Sequence, residues 1–194
     1  MNIIGISGPA RSGKDTLGDN IMSILKEWGI ACQKVSFANE LKKETDDFLK
    51  DKIGISSFTQ NDEEKKIIRP FLVTWGTHVR RKLNPDVWID SVKNLLSDKV
   101  VSIISDVRFE NELEWVKKSG GYSIFVERYD PEGNLIPPAN KEEEEHTMKL
   151  KSDCDCSFVW GSISDEKWLS AIAYEVLLKA IPESQLETWT QTCH

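Results

Sequence analysis

The sequence predicts an α/β protein built on one doubly wound, mainly five-stranded parallel sheet. Three observations carry that expectation. Short apolar runs alternate with helical patterns along the 194 residues, as in a chain of βαβ units. The first run, Met1 to Ser7, leads directly into Gly8-Pro9-Ala10-Arg11-Ser12-Gly13-Lys14-Asp15-Thr16. A later β-branched run, Lys99 to Ser105, ends in Asp106, and open parallel sheets bind ligands at such carboxyl ends.

The glycine-containing stretch is G-x-x-x-x-G-K between a strand and a helix, the setting a phosphate-binding loop requires. Glycines let the backbone close around an anion where a Cβ would clash. The loop N–H groups and the first helical turn then point at the phosphates, with the helix dipole behind them. Lys14 supplies a positive charge to the β- and γ-phosphates. One position is irregular. A hydroxyl residue usually follows that lysine and ligates Mg²⁺, whereas here Asp15 follows and Thr16 comes one step later.

Composition narrows the partners. A net charge of −7 and a pI near 5.1 argue against a polyanion binder, which carries a basic footprint, but not against a small phosphorylated ligand. The expectation is therefore no polymeric nucleic acid and no membrane, and a single domain over 1–194. Cys32, Cys154, Cys156 and Cys193 read as reduced thiols of a cytoplasm-like compartment. Cys154-Asp155-Cys156 lacks a second cysteine or histidine pair to complete a zinc set.

Taken in order, residues 16–25 form the first helix, with apolar residues at 17, 21, 24 and 25, and Ala31 to Phe37 a second strand. Ala38 to Lys50 is helical, burying Leu41, Phe48 and Leu49; its Lys42 and Lys43 are either a solvated face or ligand contacts. A helix spans about Asp62 to Leu83, with a break near Pro70 and apolar positions at 67, 68, 71, 72, 75 and 79 facing inward. Its Arg80-Arg81-Lys82 run either complements the helix dipole or clamps an anion. Asn84-Pro85-Asp86 starts another helix that buries Val87, Trp88, Val92, Leu95 and Leu96. After the strand ending at Asp106, the aspartate either caps the next helix or serves the site by holding Mg²⁺ or accepting a hydrogen bond from a substrate. Arg108 lies at the same sheet rim and suits bidentate phosphate binding. Glu110 to Ser119 is an amphipathic helix, and Tyr122 to Glu127 a fourth strand followed by Arg128. Residues 129–151, with four prolines or glycines and the run Glu142 to Glu145, are a loop or a lid over the phosphates. Ser157 to Trp160 is a fifth strand, Glu166 to about Lys179 a last helix burying Trp168 and Leu169, and residues 181–194 a peripheral tail.

Together these patches resemble the phage-type deoxynucleoside monophosphate kinases. The resemblance rests on G-x-x-R-S-G-K-D-T (Gly8 to Thr16) and F-A-x-x-L-K (Phe37 to Lys42). It also rests on G-T-x-x-x-R-x-L-x-P-D-x-W (Gly76 to Trp88) and S-D-V-R-F-x-N-E (Ser105 to Glu112). It covers roughly residues 3 to 180, and Asp after the loop lysine is common in that family. It implies a three-layer α/β/α fold like that of nucleoside monophosphate kinases, with a lid insertion. ATP and Mg²⁺ are the implied donor, and a deoxynucleoside 5′-monophosphate the acceptor. Gly8, Arg11, Ser12, Gly13, Lys14, Asp15 and Thr16 then belong to the ATP-phosphate site, with Asp15, Thr16 and Asp106 near the metal. Lys42, Trp75, Arg81, Asp106 and Arg108 belong to the acceptor site, and Lys14, Arg81, Asp106, Arg108 and Arg128 act on the transferring group, Arg128 arriving with the lid. A homodimer and a cytoplasmic location, the host's if phage-encoded, follow by the same analogy. Two stretches depart from the family. His146-Thr147-Met148-Lys149 replaces H-x-S-E, and Val159-Trp160-Gly161-Ser162 replaces I-x-N-x-G. The nearest enzymatic rival is an animal-type phosphomevalonate kinase, which shares the x-S-G-K-D loop and an S-D-x-R element. A nucleotide-binding regulatory module without turnover is the alternative from another class.

Overall fold

The apolar runs pair as expected, and all four pairings are parallel. Strands β1 (Ile3–Ser7), β2 (Cys32–Val35), β3 (Val101–Val107), β4 (Tyr122–Arg128) and β5 (Cys156–Trp160) form one sheet in the order β2-β3-β1-β4-β5. This computed structural model describes residues 2–138, 141–161 and 166–181. They cluster into two compact units, one from the described residues of 1–35 and 96–194, the other Ser36–Leu95. Of the tail expected over 181–194, residues 182–194 lie outside the described residues, as do Ser164 and Asp165, expected to start the last helix.

In the sheet unit, the alternation of side chains along β1 decides which helices cover which face. Ile4 and Ile6 point into a core with Ile103, Ile124, Val126 and Trp160. That core is closed by helix α1 (Lys14–Glu27) through Leu17, Ile21 and Leu25, and by a C-terminal helix (Glu166–Ala180) through Leu169, Ile172, Ala173, Val176 and Leu177. Gly5 faces the other way. A Cβ there would stand 3.2 Å from Val116 of a third helix (Glu110–Lys118), so that helix lies close on the opposite face. β1 sits between β3 and β4, so its carboxyl end is the switch point where ligands bind in open α/β sheets.

The second unit is helical. α2 (Phe37–Ile53) is capped by Ser36, whose hydroxyl accepts from the Asn39 N–H at 3.2 Å. α3 (Asp62–Val73) is capped by Asn61, which accepts from the Glu63 and Glu64 N–H groups. Pro70 stays inside α3, and the helix changes character four residues later, with a π-helical stretch over Thr74–Arg80 before α4 (Arg81–Leu83). Gly76 lies in that stretch, where a Cβ would come within 2.9 Å of Leu41, so the wide turn presses on α2. π-turns inside helices recur at functional sites, and this one contains all of G-T-x-x-x-R except Arg81. Helix α5 (Val87–Lys93) buries Trp88, whose indole N–H donates to the Gly76 carbonyl at 3.3 Å.

The remaining elements are α6 (the Glu110–Lys118 helix), α7 (Lys141–His146), a 3₁₀ turn over Met148–Ser152, and α8 (the Glu166–Ala180 helix). Several boundaries differ from expectation. The second strand ends at Val35 because Ser36 turns the chain into α2. β3 runs one residue past Asp106, which lies inside the strand. Phe48 is 52% exposed because Leu49 takes the inward position while Phe48 stacks on Phe71. Trp168 is outward for the same reason, with Leu169 and Ile172 inward; Ile67 and Leu95 are exposed too. Ile21 is fully buried where α1 meets the sheet, so Ile21→Ala should lower unfolding stability by about 2–5 kcal/mol in urea titration. A loss below about 0.5 kcal/mol, the size of an ordinary surface change, would show that this core is not close-packed at α1.

Candidate active site

The loop after β1 is shaped by what has no room around it. At Gly8, with φ 140°, a Cβ would stand 2.1 Å from the Val126 carbonyl oxygen, so only glycine fits. Gly13, at φ 91°, sits in the left-handed region and begins α1. Arg11 also takes positive φ, 63°, alone among the described non-glycine residues, and its side chain is exposed. Lys14 is buried and folds back over the loop, its Nζ donating to the Gly8 carbonyl at 2.8 Å and the Pro9 carbonyl at 2.6 Å. The ammonium is thus held by the loop's own backbone at the place where phosphates need a positive charge. Ser12 is fully buried and its hydroxyl has no hydrogen-bond partner. A glycine-only cradle, an unpartnered Ser12 hydroxyl and a lysine that donates to two loop carbonyls fit an anion.

Asp15 is tied to neighbouring strands. Its Oδ1 accepts from the Ser105 hydroxyl of β3 at 2.7 Å and pairs with Lys34 of β2 at 3.0 Å. Lys34 also pairs with Asp19 at 2.9 Å. Burial alone would raise the Asp15 carboxyl, but Ser105 and Lys34 outweigh it and hold the group below its ordinary value. Burial would lower Lys34, and the Asp19 and Asp15 carboxylates instead push it up. Thr16 is half-buried in the first turn of α1. Among the described residues no group of three His, Cys, Asp or Glu could cage a metal. Mg²⁺ commonly takes only one or two carboxylates and keeps substrate phosphates and waters, so Asp15, Thr16 and Asp106 fit an ion delivered on the nucleotide.

Asp106, Arg108 and Arg128 stand at the carboxyl edge of the sheet. Ser7 is paired with Val107, which sets Asp106 at the level where the loop begins. Arg108 is exposed, and its backbone is fixed by the buried Glu112, whose Oε2 accepts from the Arg108 N–H at 2.8 Å and the Phe109 N–H at 3.1 Å. Arg128 ends β4 with its Nε buried and unpartnered, and it lines a cavity of about 640 Å³ with Tyr129, Asp130, Pro131, Gly133 and Gly161. The segment that follows is anchored at its far end. Lys151 pairs with the buried Glu127 at 2.6 Å, Thr147 and Leu150 are buried, and the His146 ring lies 5.1 Å from Phe109. Thus His146-Thr147-Met148-Lys149, where the family pattern is altered, packs beside the residue after Arg108.

Lys42, Trp75 and Arg81 belong to the helical unit. The Lys42 ammonium lies 5.8 Å from the centre of the Phe58 ring. Trp75 donates its indole N–H to Glu44 at 2.8 Å, and the same carboxylate pairs with Arg80. Arg80 also lies over the Trp88 ring, so it serves the helix packing. Arg81 donates to the Pro85 carbonyl at 3.4 Å, which ties the start of α4 to the turn before α5. Sequence reasoning passed over Ser105, Lys34, Glu112 and Trp160. Ser105 and Glu112 were legible as the first and last residues of S-D-V-R-F-x-N-E; the side chains of Lys34 and Trp160 reach the loop only because of the order of the strands. The cysteines Cys32, Cys154 and Cys156 are free, and burial pushes the Cys154 thiol up to about 12.

Against this geometry, a family model described as phosphomevalonate kinase matches residues 6–122, more than half of the chain. The chain belongs to the phosphomevalonate kinase family. No curated protein matches it significantly. Among solved structures, a shikimate kinase from Aquifex aeolicus vf5 superposes with a TM-score of 0.51 at 20% identity, covering 91% of this chain and 94% of that one. An APS kinase CysC mutant from Mycobacterium tuberculosis gives a TM-score of 0.43 at 11% identity over 91% and 94%. The first of these shows a P-loop kinase-like fold. Family and fold make the protein a kinase-type phosphotransferase. The family that matches is not the deoxynucleoside monophosphate kinases that the motifs resemble. No described helix is long and apolar enough to cross a membrane.

The Asp15 pairing has a pH signature. Its folded-state value lies below 3.8, so it stabilises the fold above about pH 4 and that contribution fades as pH falls through the folded value. Asp15→Asn should therefore narrow the difference in urea-unfolding stability between about pH 7 and about pH 3. A difference as wide as the parent's would remove Asp15 from the acid response.

Proposed function

We propose that the protein transfers the γ-phosphoryl group of ATP to a deoxynucleoside 5′-monophosphate. The observation that carries this reading is an aromatic ladder in the helical unit. Phe48 stacks on Phe71 with ring centres 5.5 Å apart and planes at 17°, and Phe71 on Trp75 at 6.3 Å and 11°. Phe48 is more than half exposed, so the ladder offers a flat face to solvent. A planar base gains roughly 1–3 kcal/mol by stacking on such a ring, whereas a small acidic phosphate has no use for it. In this reading a phosphate oxygen of the acceptor attacks the γ-phosphorus, and the bond to the ADP oxygen breaks. No general base is needed, because that oxygen is already an anion. Lys14 and the loop N–H groups hold the donor phosphates; Arg81 and Arg108 hold the acceptor phosphate and screen donor from acceptor; Arg128 joins from the start of the lid. Mg²⁺ arriving with ATP, near Asp15, Thr16 and Asp106, would neutralise phosphate charge.

A second reading, phosphomevalonate as acceptor, is supported by the family match over residues 6–122. ADP release from MgATP separates the two when measured against dAMP, dGMP, dCMP, dTMP, dUMP, their hydroxymethylated forms, the ribonucleotides and phosphomevalonate. Turnover with one or more deoxynucleotides is the expected result. Activity on phosphomevalonate alone would overturn it. Under either acceptor, Arg108→Ala should lower turnover by about 10³-fold while leaving the melting temperature near the parent's, by comparison with other phosphoryl-transfer arginines. Near-normal turnover would sink the role given to Arg108.

A further inference from the structure

Trp160 lies in one of the two stretches where the sequence departs from the pattern it otherwise resembles. It is fully buried in the sheet core between the sheet and α1 and α8. Its indole N–H donates to the Ser12 carbonyl at 2.6 Å, across 148 residues of chain. That is a side chain of β5 reaching into the loop that follows β1. The described residues contain no cis peptide. In a trans peptide the C=O and the following N–H point in opposite directions. Holding the Ser12 carbonyl toward the indole therefore turns the Gly13 N–H the other way, away from the core. Gly13 is the residue whose φ of 91° starts α1, so this peptide immediately precedes the helix.

The same residue reaches the other side of the site through its backbone. The Trp160 carbonyl accepts from the Tyr129 N–H at 2.9 Å, just after Arg128, and Arg128 is paired with Trp160 in the sheet. The next residue, Gly161, lines the cavity beside Arg128. Trp160 thus joins the phosphate loop to the start of the 129–151 segment within the sheet unit.

We infer that Trp160 is a positioning residue for the donor phosphates: its indole N–H sets the Ser12–Gly13 peptide so that the Gly13 N–H faces the bound anion. This rests on residues 8–16 being the ATP-phosphate loop, and it holds for any acceptor. The indole touches neither substrate. Its effect falls on donor affinity and not on acceptor affinity, which a general packing role would not produce.

The test uses the full chain with two replacements at this position. Trp160→Phe removes the N–H and part of the ring. Replacement by 3-benzothienylalanine keeps the two-ring shape and puts sulfur where the N–H was, so packing is retained and the donor alone is lost. Calorimetry measures the affinity for MgATP and for inorganic tripolyphosphate, and steady-state kinetics measure KM for ATP and for the acceptor. Both replacements should weaken MgATP and tripolyphosphate by about ten-fold, equivalent to about 1.4 kcal/mol, with the acceptor KM unchanged. Parent-like affinity in the benzothienyl variant would overturn the proposal, even if Trp160→Phe were weakened or unfolded, because packing would then be the whole effect. A parallel rise in the acceptor KM would overturn it as well. Failure of the parent protein to bind either ligand would overturn the reading of the loop itself, and this proposal with it.

Discussion

The sheet unit depends on a steric constraint at one residue. The Val126 carbonyl stands where a side chain at position 8 would be, so the backbone leaving β1 can pass β4 only as glycine. That close pass forces the chain into a tight bend, and the bend gives Lys14 its place over the Gly8 and Pro9 carbonyls. Because the bend ends at the first turn of α1, the helix dipole and the lysine charge converge on the same few ångströms. Nothing in this arrangement depends on the identity of the acceptor.

Around that bend, the neighbouring strands meet the loop or its flanks, β2, β3 and β5 through polar contacts and β4 by close approach. β2 contributes Lys34 and β3 contributes Ser105, both to Asp15. β4 contributes the carbonyl of Val126, and β5 contributes the indole of Trp160 to Ser12. An aspartate after the loop lysine adds negative charge beside phosphates, yet two of its partners are a hydroxyl donor and an ammonium. The pairing lowers the cost of placing a carboxylate there and joins α1 to two strands. Glu112 does comparable work at the rim, since a buried carboxylate that accepts two backbone N–H groups fixes the chain on which Arg108 is carried.

In the proposed reading, the helical unit carries the features that distinguish acceptors. The family match ends at residue 122 and includes this unit, yet its stacked Phe48, Phe71 and Trp75 rings are the kind of surface that a base uses and a small phosphate does not. The family relation and the aromatic ladder therefore speak to different parts of the reaction. The first concerns the transfer of a phosphoryl group, and the second concerns what receives it.

The fold class and the tight glycine-lysine loop after β1 were legible in the sequence because their signals are local. A strand-length apolar run, two glycines and a lysine at fixed spacing, and the start of a helix all lie within residues 3 to 25, where short-range sterics and hydrophobic period determine the outcome. S-D-V-R-F-x-N-E was legible for the same reason, as a strand end running into a helix. Exposure was harder to read. Phe48 and Trp168 each have an apolar neighbour competing for the inward position, and periodicity alone does not choose between adjacent residues. What only the tertiary structure decided is which distant residues brace the loop. Lys34, Ser105, Val126 and Trp160 meet residues 8 to 15 through the strand order β2-β3-β1-β4-β5, and that order is set by packing across the whole sheet, which no window of sequence contains.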